Sequence, residues 1–151
     1  MVTARSRWIA RVPDPVTLLI LALCVAVEGT LWFADTGIID FPRLRAIAYS
    51  WGGFWPGLLA DWRPNYASQP VVMFLTYGFL HGGPVHLAVN MLTLLSLGAT
   101  VSQQAGSLRY AAIYVASILG GALGFALLSS GLRPMVGASG ALFGLAGAVL
   151  L

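Results

Sequence analysis

The chain has 151 residues, of which 58% are hydrophobic and only 9% are charged. Soluble domains carry about 25% charged residues, so this composition excludes an ordinary soluble domain and indicates a membrane protein. The formal net charge is +3, and the basic residues are all arginines dispersed along the chain. A charge this small and scattered argues against a nucleic-acid-binding surface.

The first apolar segment is predicted to be a transmembrane helix. Residues 1–15 contain several arginines and are interpreted as a basic cytoplasmic tail. Residues 16–34 are mostly apolar and are interrupted by Glu28, to which the sequence assigns no role. A cleaved signal peptide is the alternative, because the uninterrupted apolar stretch is short, but no clear cleavage site follows it. Cys24, the single cysteine, cannot form a disulfide within the chain and is interpreted as a lipid-facing or packing residue.

The next segment, residues 35–70, is predicted to be an external loop. It is rich in Gly, Pro, Asp and Arg and contains Trp51, Trp55 and Trp62. Tryptophan is enriched at the membrane–water interface, so short amphipathic pieces lying in that interface are one interpretation. An ordinary loop whose aromatic residues pack on the helix bundle is the other, and the sequence leaves both open.

Three further apolar segments are predicted to span the membrane. Pro84 marks the start of the first, because proline is favoured where a helix begins. Gly120 and Gly124 form a GxxxG pair, a spacing that lets helices approach closely. The last segment stops without a polar flank, so we expect the chain to be a fragment ending inside its fourth helix. The predicted helices are residues 84–101, 108–128 and 135–151.

Three polar residues are predicted to share one depth in the membrane. His86 and Asn90 are four residues apart and lie on one helix face. Because successive helices alternate in direction, the fourth helix starts on the same side as the second. Asn90 lies roughly 9 Å below the start of its helix, and Ser139 lies at most roughly 8 Å beyond Pro134. Polar groups at membrane depth cost free energy and tend to mark function.

A buried hydroxyl beside an imidazole and an amide points to acyl-transfer chemistry. A serine nucleophile needs a base, and the oxyanion that develops needs donors such as Asn, His and backbone N–H groups. Each residue also has a simpler interpretation. Ser139 can be a small packing residue, Asn90 an interhelical hydrogen-bonding group, and His86 a histidine satisfied within the bundle.

Two short motifs resemble those of the rhomboid family of intramembrane serine proteases. The stretch His81-Gly-Gly-Pro-Val-His-Leu-Ala-Val-Asn90 is similar to the family's HxxxxHxxxN motif on the second helix. The stretch Gly137-Ala-Ser-Gly140 is similar to the GxSG motif that opens the fourth helix. The resemblance covers about residues 16–151, and the two motifs occur in the family's order on alternate helices.

The resemblance implies a role for each motif residue. Ser139 would be the nucleophile, and His86 and Asn90 would form the oxyanion hole together with the Ser139 backbone N–H. The remaining motif residues would be structural, with the glycines allowing close approach of helices and substrate: Gly137, Gly140 and His81.

The resemblance also implies the fold, the partners and the location. It implies an all-α polytopic membrane helix bundle, with four transmembrane helices present of an expected six. The substrates would be transmembrane proteins in the lipid bilayer, cleaved without a metal or cofactor. The lack of lysine and the abundance of Ala, Gly and Arg favour a bacterial plasma membrane.

One departure from the family keeps other functions open. The family's general base is a histidine on a sixth helix, but both histidines of this chain precede Ser139. A non-catalytic relative that binds or escorts membrane clients is therefore the main alternative. A transporter or channel subunit is a weaker one, because few charged residues could line a pore.

Overall fold

The described regular structure is almost entirely helical. The computed structural model describes residues 13–129 and 133–150, so the predicted basic tail lies largely outside the described residues. An isolated antiparallel bridge pairs Phe54 with Met135, and there are two 3₁₀ helices, Pro56–Leu59 and Tyr77–Phe79. The α-helices are α1 (Pro15–Asp35), α2 (Leu44–Gly52), α3 (Gln69–Thr76), α4 (Pro84–Ala105), α5 (Ser107–Leu128) and α6 (Ser139–Val149).

Three of the described helices, α1, α4 and α5, are long and apolar enough to cross a membrane. Helix α1 begins where the sequence supplies both a cap and a favourable first residue. The Asp14 carboxylate accepts a hydrogen bond from the Val16 N–H at 2.9 Å, and Pro15 occupies the first helical turn. Helix α6 is also apolar but runs for 11 residues in the described part of the chain. The predicted all-α membrane helix bundle is confirmed.

Helix α6 packs against both α4 and α5, and α1 packs on α4. Leu94, Ile118 and Leu145, one from each of α4, α5 and α6, are fully buried where these helices meet. On α1, Cys24 is also fully buried, which identifies it as a packing residue rather than a lipid-facing one. The N-terminal ends of α4 and α6 lie at the same end of the bundle, because Gly137, just before α6, lies against His86 and Asn90 near the start of α4.

The close approach of α5 and α6 does not use the predicted GxxxG pair. A Cβ added at Gly120 or Gly124 would meet nothing within 4 Å, so neither glycine is needed for packing among the described residues. A Cβ at Gly121 would instead lie 2.8 Å from the Gly140 Cα, closer than real side chains allow. The spacing identified the right helix but the wrong face, because one glycine step rotates the contact by about 100°.

Helix boundaries differ from the predicted ones where local hydrogen bonds intervene. Helix α4 continues to Ala105, where Gly106 takes a positive φ of 82°. Helix α6 begins four residues after the predicted start at Met135, because the Met135 backbone exchanges hydrogen bonds of 2.9 and 3.0 Å with Phe54. Helix α3 was not predicted, and it fills much of the stretch between the loop and α4.

The predicted loop of residues 35–70 is partly ordered as helix α2 and one 3₁₀ helix. The Trp55 indole N–H donates to the Tyr49 carbonyl at 2.8 Å, and the Trp55 ring lies 5.8 Å from that of Trp62. The buried Gln69 side chain accepts from the Asn65 N–H at 2.7 Å and donates to the Ser50 carbonyl at 2.7 Å. These contacts lie within the segment and hold it against Gln69, the first residue of α3.

Candidate active site

The N-terminal end of α4 presents His86 and Asn90 on one face. Gly83, with a φ of 109°, lets the chain turn sharply into the helix, and Pro84 occupies the first turn. His86 is half-buried and Asn90 is buried. The spacing of four residues places the two side chains one turn apart, as the sequence predicted.

The N-terminal end of α6 is formed by a tight turn that ends at Ser139. Gly137 has a φ of 116°, a backbone conformation that residues with a Cβ rarely adopt. Its N–H donates to the Tyr77 carbonyl at 3.0 Å. Ser139 is the first residue of α6 and is half-buried. Gly140 follows it, and a Cβ there would lie 2.6 Å from the Tyr77 hydroxyl. The turn is therefore fixed by Tyr77 and requires both glycines.

The structure brings these two helix ends together. A Cβ added at Gly137 would lie 2.8 Å from His86 Cε1, 3.0 Å from His86 Nε2 and 3.3 Å from Asn90 Nδ2. Asn90 and Ser139 also line one pocket of about 220 Å³ between α4 and α6. The coincidence of depth expected from helix alternation is thus present in the structure.

A backbone hydrogen bond fixes the protonation pattern of the His86 ring. The Gly82 N–H donates to His86 Nδ1 at 3.1 Å. An acceptor nitrogen carries no proton, so the neutral imidazole must hold its proton on Nε2. Nε2 is the ring nitrogen that lies beside Gly137. His86 therefore presents an N–H donor, and not a basic lone pair, towards the turn before Ser139.

Asn90 offers a second donor on the same face. Its Nδ2 is buried and has no hydrogen-bond partner among residues 13–129 and 133–150. A buried amide N–H without a partner costs free energy, so such a group in a native fold calls for an explanation. Nδ2 lies beside Gly137, and Asn90 also lines the pocket that contains Ser139.

His81 lies behind His86, away from this pocket. It is fully buried, and its ring meets the His86 ring edge-on with centroids 5.3 Å apart. Neither ring nitrogen makes a well-formed hydrogen bond within the described part of the chain. Burial, together with the neighbouring His86, lowers the pKa of His81 to about 4, and the backbone of Phe79 opposes this shift. His81 therefore stays neutral at ordinary pH.

A buried ion pair beside this site was not predicted from the sequence. Glu28 of α1 is 1% exposed and forms a bidentate pair with Arg45 of α2, with N–O distances of 2.7 and 3.0 Å. The signal in the sequence was a lone carboxylate inside an apolar run, which needs a partner at membrane depth. Its partner could not be identified, because Arg45 is one of several arginines that precede α4.

The arrangement offers donors, but no cation site is evident. Among the residues that the structure describes, no three His, Cys, Asp or Glu side chains come close enough to hold a metal ion. The groups around Ser139 are its own hydroxyl, Asn90 in the same pocket and the N-terminal end of a helix, with His86 beside the preceding turn.

Comparison with known proteins identifies the family. The sequence model of the Rhomboid domain matches residues 68–151, which is more than half of the chain. The chain belongs to the rhomboid family. The match includes both motifs and helices α3 to α6, whereas the resemblance was expected to begin near residue 16. Membership and the three membrane-length helices make this an integral membrane protein of rhomboid-like fold.

Relatives with differing names match about half of the chain. RHOMBOID-like protein 5 of Arabidopsis thaliana is 52% identical over 73 residues, covering 48% of this chain and 24% of the relative. Rhomboid protease GluP of Bacillus subtilis is 43% identical over 76 residues, covering 50% of this chain and 15% of the relative. Inactive RHOMBOID-like protein 8 of Arabidopsis thaliana is 37% identical over 90 residues, covering 60% of this chain and 25% of the relative.

Family membership does not decide whether this chain is catalytic. The matches span a quarter or less of the length of these relatives. The relatives include both a protease and a protein named inactive. Most of the relatives are plant proteins, so the predicted bacterial origin is not supported.

Proposed function

We propose that this chain carries the nucleophile and oxyanion hole of an intramembrane serine endopeptidase that cleaves transmembrane proteins. The observation that carries the proposal is the contact between the turn before Ser139 and the donors of α4. Gly137 lies against both His86 and Asn90, at distances that leave no room for a side chain. The contact puts two side-chain N–H donors beside the turn that leads to Ser139, and donors of this kind stabilise a developing oxyanion.

The donors suit an oxyanion that forms when the Ser139 hydroxyl attacks a peptide carbonyl. His86 offers its Nε2–H because the Gly82 N–H occupies Nδ1. Asn90 offers an Nδ2–H without another partner among the described residues. The N–H of Ser139, at the first position of α6, has no acceptor within its own helix and adds a favourable dipole.

Neither histidine of the chain serves as the general base of this proposal. His86 Nδ1 is occupied and its Nε2 is protonated, so His86 cannot accept the serine proton in this state. His81 is buried behind His86 and does not line the pocket that contains Ser139. By the family resemblance, we assign the base to a histidine of a sixth helix, with residues 16–151 forming the first four spans.

Substitution of the nucleophile tests this function. We expect Ser139→Ala, in the protein at its natural length and in membranes, to abolish cleavage of a single-span reporter whose helix carries small residues near the membrane surface. Ser117→Ala is the matched control, because this helical hydroxyl bonds, among the described residues, only to the Ile113 carbonyl of its own helix at 2.7 Å. A fluorophosphonate probe should label the control but not the Ser139 variant. Unchanged cleavage by Ser139→Ala would refute the proposal.

A non-catalytic role in binding membrane clients is the second candidate. The observation that favours it is the 37% identity to a protein named inactive. In that case neither the parent protein nor Ser139→Ala would cleave the reporter or react with the probe, and both would co-purify with the same transmembrane clients.

A further inference from the structure

A buried charged cluster joins α1 to the segment before α4. Glu28 is 1% exposed, and its two carboxylate oxygens accept from both terminal nitrogens of the Arg45 guanidinium. Arg45 Nε also donates to the exposed Asp35 carboxylate at 2.6 Å. Forked pairing of this kind fixes the plane of a guanidinium, which a single contact cannot do.

Two donors of this cluster bond to the same backbone atom, the His81 carbonyl oxygen. Arg45 Nη1 donates to the His81 carbonyl oxygen at 2.9 Å. The Tyr49 hydroxyl donates to the same oxygen at 2.6 Å. Arg45 and Tyr49 also contact each other at 3.2 Å, so the two donors support one another. The His81 carbonyl oxygen therefore accepts two hydrogen bonds, one of them from a charged donor.

The geometry of the peptide bond transmits this restraint to the α4 site. The His81 carbonyl and the Gly82 N–H belong to one peptide group, which is planar, and no described peptide bond is cis. The C=O and N–H of a trans peptide point in opposite directions, so fixing the first fixes the second. Hydrogen bonds to a carbonyl also polarise its peptide and strengthen the N–H as a donor. That N–H is the group that donates to His86 Nδ1.

We propose that Glu28, Arg45 and Tyr49 are positioning residues that set the tautomer and orientation of His86 through the His81–Gly82 peptide. Glu28 holds the guanidinium, and the guanidinium and the phenol hold the carbonyl. The opposite end of the peptide then keeps the His86 proton on Nε2. The tautomer does not depend on the proposed function, but its catalytic consequence rests on that function.

Nitrogen-15 NMR of His86 tests the tautomer directly. In the protein at its natural length, in bicelles at neutral pH, we expect His86 to be a single Nε2–H tautomer, assigned by comparison with a His86→Gln sample. Glu28→Gln should produce a mixture in which Nδ1–H appears. Asp35→Asn is the matched control, because it changes a carboxylate that touches the same arginine from outside the buried pair, and it should leave the single tautomer intact.

Kinetics of the parent protein give the second readout. We expect Glu28→Gln to lower kcat for the reporter by about 10- to 100-fold, as for other small displacements of catalytic groups, with KM changed by less than about twofold. Arg45→Lys should lower kcat to a similar extent, because an ammonium keeps the charge but cannot form the forked pair with Glu28. Asp35→Asn should change kcat by less than about twofold, as is typical of exposed pairs.

The outcomes separate this proposal from the proposed function. An Nδ1–H tautomer in the parent chain, or an unchanged single tautomer in folded Glu28→Gln, would overturn the positioning role even if Ser139-dependent cleavage is found. The expected tautomer change in a protein that cleaves nothing would support the positioning and refute the protease. If Glu28→Gln does not fold, the tautomer is measured in Tyr49→Phe, which keeps the ion pair and removes one of the two donors to the His81 carbonyl. An unchanged tautomer there overturns the proposal.

Discussion

Gly137 allows the sharpest test of the site geometry, because both its backbone and its surroundings exclude a side chain. In Gly137→Ala the residue must keep a φ of 116°, which costs about 1–3 kcal/mol for a residue with a Cβ. The new methyl would also lie 2.8 Å from His86 Cε1, whereas carbon atoms pack at about 3.5 Å or more, so the ring must move by about 0.7 Å. Pushing a side chain off its rotamer costs about 0.5–1.5 kcal/mol.

Together these terms predict that Gly137→Ala lowers the free energy of unfolding by about 2–4 kcal/mol. The measurement is reversible unfolding in mixed detergent–SDS micelles. Gly120→Ala is the control, because it lies in the interior of α5 with nothing within 4 Å of its added Cβ, and it should stabilise the protein by about 0.5–1 kcal/mol. If the free energy of unfolding of Gly137→Ala lies within about 0.5 kcal/mol of the parent value, the turn does not pack on His86.

Two further predictions concern buried groups. Cys24 is fully buried, so a maleimide that enters membranes should fail to label the folded chain in the time that labels it completely in SDS; rapid labelling of the folded chain would place this face of α1 outside the core. The pKa of His81 is lowered from 6.5 to about 4, so the unfolded state binds more protons between these values. The free energy of unfolding should therefore be highest above pH 6.5 and fall by up to about 3 kcal/mol as the pH approaches 4, and His81→Gln should remove most of this dependence; a stability that rises on acidification would contradict it.

The residues that mark the family could be recognised from local sequence alone. Pro84 indicates the start of α4, and a spacing of four residues places His86 and Asn90 on one face of any helix. The apolar segments could be predicted from length and composition, because a helix that crosses hydrocarbon must satisfy its own backbone polar groups. Helix alternation was enough to expect Ser139 at a similar depth.

The packing face of α5 and the start of α6 needed the tertiary structure. The sequence pattern favoured Gly120 and Gly124, and only the rotation of the helix against its neighbour selects Gly121. Met135 continues an apolar run in the sequence, but pairing with Phe54, which is far away in the chain, keeps it out of the helix.

The restraint on His86 depended most on tertiary structure. Glu28 could be recognised as a carboxylate that needs a partner, because a charge at membrane depth is costly alone. That its partner is Arg45, and that Arg45 holds the carbonyl whose peptide donates to His86, depends on how α1 and α2 pack. The amino-acid order by itself determines which groups are present and how they are arranged on each helix. The direction of a single N–H, and with it the tautomer of His86, is decided only when distant segments meet.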